Sequence, residues 1–137
     1  MQSDVKVLLV EDDADYAEIY RLRLESDGYE VMVAPDGQAA LEMMQRLVPD
    51  LVYLDLRMPR MDGFTMLSAL RADPATAHVP VVVLTNYDAP ELREQGAQLG
   101  VLDWLVKADV TPSALAQRTA RLMRAEAEAV AGEGEAP

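Results

Sequence analysis

At 137 residues, half of them hydrophobic and 26% charged, the chain is long enough for one domain with a real core and too short for two ordinary ones. Its 24 acidic against 12 basic residues give a net charge of −12, a surface that repels nucleic-acid phosphates and argues against direct DNA or RNA binding. The absence of cysteine excludes disulfides, thiol nucleophiles and thiolate metal sites, and a single histidine, His78, cannot build a zinc-binding cluster.

The first apolar run, VKVLLV (5–10), reads as a strand. It is too short, and the EDD behind it too acidic, for a signal peptide, and no later run approaches the ~18 residues of a bilayer span. The chain is therefore expected in the cytoplasm, without membrane contact. Residues 14–27 form a first helix that places Ala17, Tyr20 and Leu24 on one face and stops at Gly28. EVMVA (30–34) is a second strand of edge character. Asp36 caps a helix over 37–48 whose apolar stripe is Ala40, Met43, Met44 and Leu47.

LVYLD (51–55) is the third strand, and Asp62-Gly63 opens a helix carrying Phe64, Leu67 and Leu70. VPVVVLT (79–85) is the fourth. Asp88-Ala-Pro-Glu91 has the form of a capping box with proline in the first helical turn. The helix it begins is the weakest, since Gly96 interrupts it and only Leu92, Gly96 and Leu99 make its apolar set; mobility is expected there. VLDWLV (101–106) is the fifth strand, again of edge character, and Thr111-Pro112 starts a last helix through about Glu128. A domain over 1–128 follows, with 129–137, mostly AGEGEAP, as a flexible acidic tail or the start of a linker.

Strands one, three and four are nearly continuous apolar runs, as in parallel strands covered on both faces. Five strands alternating with five helices make an α/β, doubly wound (βα)₅ domain with right-handed crossovers. In such sheets ligands bind outside the carboxyl ends of the strands. Those ends carry Glu11, Asp12 and Asp13 after the first strand, Asp55 at the end of the third, Thr85 and Asn86 at the fourth, and Lys107 after the fifth.

Several carboxylates in one crevice repel unless protonated or neutralised, and a hard divalent cation neutralises them. Oxygen-only ligands suit Mg²⁺ or Mn²⁺ better than zinc. A metal alone has no need of Lys107 or Thr85. An ammonium and a hydroxyl facing a metal-bound carboxylate suit a dianionic group between them, most simply a phosphoryl on Asp55.

LLVEDD, LVYLDLRMPRMDG, VVVLTN and DWLVK stand in order and in register over roughly residues 5–124, and in these motifs the sequence resembles the receiver domain of bacterial two-component response regulators. The resemblance implies the flavodoxin-like five-stranded sheet of order 2-1-3-4-5. It implies Asp55 as phosphoacceptor, and Glu11, Asp12, Asp55 and the backbone carbonyl of Arg57 as the Mg²⁺ site. By the same resemblance Thr85 is the switch hydroxyl, Trp104 the aromatic switch position and Lys107 the phosphate-binding lysine.

It further implies a sensor histidine kinase or histidine phosphotransfer protein as donor. The output passes to a downstream protein or effector domain, or to a homodimer formed through the fourth helix, fifth strand and fifth helix. The chain would then be a signalling domain and not an enzyme, catalysing only its own aspartyl phosphorylation and dephosphorylation. Three residues depart from the commonest family pattern: Ala108 where proline, usually after a cis bond, is frequent, Asn86 where a small residue is commoner, and Trp104 in place of Tyr or Phe.

Asp13 reads as a helix cap, His78 as structural or exposed, and Met43, Met44, Met66 and Met123 as core filler. Arg118, Arg121 and Arg124 read as a solvated helix end or a partner face. A haloacid-dehalogenase-like phosphatase shares the strand-end aspartate and Mg²⁺, but its D-x-D pattern meets Arg57 here. A phosphorylation-independent pseudo-receiver scaffold is disfavoured by the intact set of Asp12, Asp55, Thr85 and Lys107. A flavin-binding flavodoxin is disfavoured by an acidic loop where a phosphate needs donors.

Overall fold

The computed structural model describes residues 5–57 and 61–135, with the backbone alone from residue 130 onward. Five strands, β1 (Lys6–Val10), β2 (Glu30–Ala34), β3 (Leu51–Leu54), β4 (Val81–Thr85) and β5 (Asp103–Val106), form one parallel sheet in the order β2-β1-β3-β4-β5. Five helices alternate with them: α1 (Ala14–Ser26), α2 (Gly37–Arg46), α3 (Gly63–Ala72), α4 (Pro90–Gln98) and α5 (Pro112–Glu135). The flavodoxin-like order expected from the sequence is the one found.

Successive strand side chains point to opposite faces, and both faces are covered, which is why the central strands are apolar throughout. Leu8, Val10, Val52, Leu54 and Val81 pack under α2 and α3 with Met44, Met66, Leu67 and Leu70. Val7, Leu9, Leu51, Tyr53, Val82 and Leu84 pack under α1 and α5 with Tyr20, Leu24, Leu115 and Ala116. A third, small cluster of Leu56, Val83 and Trp104 lies beneath α4, joined by Phe64, Leu92 and Val101.

Local signals behave as the sequence suggests at most ends. Asp13, Asp36 and Asp62 accept first-turn N–H bonds at the starts of α1, α2 and α3, and Gly28 takes φ 97° just past α1. Thr111 accepts the Ala114 N–H at 3.0 Å at the head of α5. Methionines 44 and 66 are buried and 43 and 123 half-buried, all in core clusters, while His78 is exposed.

Four details differ. The capping box at Asp88–Glu91 does not form: α4 is capped by Ala89, with no side-chain bond, and Asp88 instead takes the Arg93 guanidinium at 2.5 Å. Pro90 drives the residue before it into extended backbone, so Ala89, at φ −143° and ψ 146°, must be the cap. Leu47 leaves the expected stripe because α2 ends at Arg46; it is extended and 39% exposed. All strands but β2 are shorter than their apolar runs, β4 beginning only after Pro80, whose carbonyl still accepts the Val52 N–H at 2.9 Å. Finally, α5 runs to Glu135, past the Glu128 expected, through much of the segment read as a tail. Among the described residues no helix is long and apolar enough to cross a membrane.

Candidate functional site

The parallel sheet delivers β1, β3, β4 and β5 with their carboxyl ends together. Backbone bonds fix the two acidic positions. The Glu11 N–H reaches the Ala34 carbonyl at 2.9 Å and the Asp55 N–H the Val10 carbonyl at 3.0 Å, so both carboxylates leave the sheet side by side. Glu11 and Asp55 are buried, 5% exposed each, and Asp12 is exposed. One oxygen from each of Glu11, Asp12 and Asp55 lies within 4.8 Å of the others.

Lys107 closes the group from the far side. Its Nζ is 2.6 Å from Glu11 Oε1 and 2.8 Å from Asp55 Oδ2, and the residue is only 7% exposed. One ammonium thus serves two buried carboxylates, and the acidic cluster keeps an excess of negative charge. Burial pushes the Glu11 carboxyl up, against the pull of Lys107 and of the Asp13 N–H at 3.0 Å. Burial also pulls Lys107 down, but its bonds to Asp55 and Glu11 outweigh that and hold its pKa above the ordinary lysine value.

The loop after Asp55 is pinned by contact. A Cβ at Gly63 would stand 2.7 Å from both the Asp55 carbonyl oxygen and the Leu56 Cα, and the Gly63 N–H donates to the Leu56 carbonyl at 2.9 Å. Only glycine lets α3 start this close to the phosphoacceptor candidate. The Arg57 N–H points at Asp55 Oδ1 at a long 3.4 Å, which keeps its backbone beside the carboxylate. Pro59, in the same loop of the LVYLDLRMPRMDG motif, lies outside the described residues.

Thr85 is fully buried at the end of β4, in register with Val106, the residue before Lys107; its hydroxyl accepts the Tyr87 N–H at 3.3 Å. Trp104 is 7% exposed and turned inward, donating its indole N–H to the Tyr87 carbonyl at 3.1 Å. Its larger ring fits because Gly96 has no side chain: a Cβ there would meet Trp104 Cζ3 at 3.0 Å and Val101 Cγ2 at 3.3 Å. The glycine that weakens α4 is the socket for the tryptophan.

The departures at 86 and 108 prove to be bonded to each other. Lys107–Asp109 makes a single 3₁₀ turn without a cis bond, and the Ala108 N–H donates to Asn86 Oδ1 at 3.0 Å. A proline at 108 has no N–H to give. Asn86 therefore ties the end of β4 to the turn that carries Lys107.

Two tyrosines at the site escaped the sequence reading. Tyr87 is hydrogen-bonded by the Arg57 guanidinium, which also lies over its ring at 4.9 Å from the centroid. Tyr16 presents its ring to Lys107. Both line, with Asp12, Asp55, Arg57 and Lys107, a cavity of about 350 Å³ over the carboxylates. The available signal was position alone: Tyr87 falls in the loop after Thr85, and Tyr16 one turn before the buried Tyr20.

A family model described as the response regulator receiver domain matches residues 7–120. The response regulator PleD of Caulobacter vibrioides is 41% identical over 102 residues, which are 74% of this chain and 22% of PleD. The chain thus spans less than a quarter of that relative. Among solved structures, the chemotaxis protein CheY4 of Vibrio cholerae superposes with a TM-score of 0.81 at 33% identity, over 87% of this chain and 98% of CheY4. The Mn²⁺-bound form of the response regulator Rcp1 superposes with a TM-score of 0.72 at 27% identity, over 80% of this chain and 86% of that one.

Proposed function

Since the chain belongs to the response regulator receiver family, we propose that it is a phosphoacceptor module of two-component signalling, with Asp55 as the residue phosphorylated. The observation that carries this reading is the placement of Lys107 Nζ between Asp55 Oδ2 and Glu11 Oε1, beside three carboxylates within 4.8 Å of one another. An ammonium seated against a strand-end aspartate is positioned to take charge that develops on a transferring phosphoryl group.

An oxygen of Asp55 attacks phosphorus; the new O–P bond forms as the P–N bond to a phosphohistidine breaks, and the released imidazole nitrogen takes up a proton. That histidine belongs to another protein, a sensor histidine kinase or histidine phosphotransfer protein. His78, the chain's own histidine, precedes β4 at the opposite end of the sheet from Asp55. Glu11, Asp12 and Asp55 are hard oxygen donors at a spacing that fits Mg²⁺ or Mn²⁺, with the Arg57 carbonyl as a further ligand. When bound, the cation supplies neutralisation of the carboxylates and of the phosphoryl oxygens. Hydrolysis of the acyl phosphate returns Asp55, so the domain transfers a signal and turns over no substrate of its own.

The response runs through contacts already in place. Thr85 Oγ1 holds the Tyr87 N–H, and the Tyr87 carbonyl holds the Trp104 indole. Thr85 turning toward a phosphoryl oxygen releases Tyr87, and with it the anchor of Trp104. The populations of the α4–β5–α5 face then shift, and that face meets a downstream protein, an effector domain or a second copy.

Trp104 is the only tryptophan and reports on this directly. With Mg²⁺ and a small acyl phosphate the wild type gains one phosphoryl group by intact mass and its emission changes; Asp55→Asn gains none and loses the phosphate-dependent change. Lys107→Ala keeps Mg²⁺ binding but slows phosphorylation by about 10²-fold, the scale for removing one charge-stabilising donor. A wild type that takes up no phosphoryl group from any competent donor overturns the reading.

A further inference from the structure

Lys107 has a third partner that the phosphoacceptor reading leaves unused. Its Nζ lies 4.9 Å from the centroid of the Tyr16 ring, inside the range in which an ammonium is held by a π face. Tyr16 stands in the first turns of α1, half-buried, and lines the cavity over Asp55. Its ring stacks on that of Tyr20, one turn later, with centroids 6.0 Å apart and planes at 22°. Tyr20 is buried, and its hydroxyl reaches the Val110 carbonyl at 3.5 Å. The Val110 N–H in turn donates to the Lys107 carbonyl at 3.2 Å. The aromatic pair on α1 is thus fastened both to the Lys107 head group and to the turn that carries its backbone.

The two other partners of Lys107, Glu11 and Asp55, are the carboxylates that a divalent cation claims. A cation at that cluster repels the ammonium and competes for the same oxygens. The ring face is indifferent to that competition. It attracts Lys107 whether or not the carboxylates are engaged, and it lies on the cavity side, where an incoming phosphoryl group arrives.

We propose that Tyr16 is a positioning residue that retains the Lys107 ammonium at the phosphoryl cavity when a metal ion takes up Glu11 and Asp55, acting through its ring face and not through its hydroxyl. This rests on the reading of Asp55 as phosphoacceptor. Two variants separate the ring face from mere bulk: Tyr16→Phe keeps the π surface, and Tyr16→Leu keeps an apolar side chain without it.

The first measurement is the rate of phosphoryl incorporation from a small acyl phosphate with Mg²⁺, beside the Mg²⁺ affinity read from Trp104 fluorescence. Tyr16→Leu phosphorylates about 5- to 30-fold more slowly, with Mg²⁺ affinity unchanged or slightly tighter; Tyr16→Phe falls by less than about twofold. A Leu variant at the wild-type rate, or a Phe variant as slow as Leu, overturns the proposal.

The second measurement needs no phosphorylation. In the NMR spectrum of the Mg²⁺-loaded protein, the Lys107 ε-methylene protons are shifted upfield by the ring current in wild type and in Tyr16→Phe, and return toward the ordinary lysine position in Tyr16→Leu. If they sit at the ordinary position in Mg²⁺-loaded wild type, the ring does not retain the ammonium, whatever becomes of Asp55. If the wild type shows the ring shift but takes up no phosphoryl group, the contact stands and the phosphoacceptor reading is the one that fails.

Discussion

The corner around Asp55 and the helix α4 are built in opposite ways. At the corner, Asp55, Glu11, Leu56, Gly63 and Lys107 are all buried and joined by backbone bonds, ion pairs and contact at van der Waals distance. Along α4 the only buried residue is Gly96, the helix start has no side-chain cap, and the core beneath is the smallest of the three clusters. The first is a rigid assembly and the second a lightly held element. On the proposed reading of Asp55 as phosphoacceptor, precision lies where bonds are made and compliance where a signal leaves.

The sharpest way to break that contrast is Gly63→Ala. Its Cβ would press on main-chain atoms at 2.7 Å, which cannot swing aside. A loss of about 3 kcal/mol or more in urea unfolding is expected, together with slower phosphorylation. A loss under about 1 kcal/mol would show the corner to be as yielding as α4.

A second test probes the core behind the corner, where Tyr53 on β3 shares a hydrogen bond of 2.6 Å with Thr119 on α5. Burial, only partly opposed by that bond, pushes the Tyr53 phenol up to about 12. An unfolded tyrosine loses its proton near pH 10, so above that the folded state holds more protons and stability falls as pH rises through the window up to about 12. Lys107, also raised, adds to the fall in the same direction above the ordinary lysine pKa. Tyr53→Phe flattens the decline by roughly 2 kcal/mol, measured by urea unfolding at neutral and at strongly alkaline pH.

The smallest expected effect is on the compliant side. In Gly96→Ala the helix gains about 1 kcal/mol of propensity, while the new methyl crowds Trp104 Cζ3 at 3.0 Å. The two nearly cancel, so stability moves by less than about 1 kcal/mol, yet Trp104 emission shifts because the ring must give way. A large loss of stability here would mean that α4 is held as firmly as the corner.

Much of this was legible in the sequence, for a physical reason. Strands covered on both faces must be apolar along their whole length, so β1, β3 and β4 announced themselves, and the strand-end rule then pointed to Glu11, Asp12, Asp55 and Lys107. What escaped depends on partners chosen in three dimensions. Asp88 has the spacing of a cap, but Arg93 is a stronger partner and Pro90 sets the boundary. Gly96 reads as a defect until Trp104 fills it. Asn86 and Ala108 look like two separate departures until their 3.0 Å bond joins them. Tyr16 and Tyr87 carry no local mark of function, because an aromatic residue near a strand end is usually packing.

The Lys107 ion pairs also bear on how the protein is made. The ammonium that completes the corner follows β5, the last of this sheet's strands in chain order, and β5 lies at the edge of the sheet, paired with β4 alone. Its partner Glu11 follows the first strand. Joining the two requires closing nearly the entire domain, the slow, long-range step of a parallel sheet. A partly folded chain therefore presents its acids without their lysine, and the cluster is completed only with completed folding.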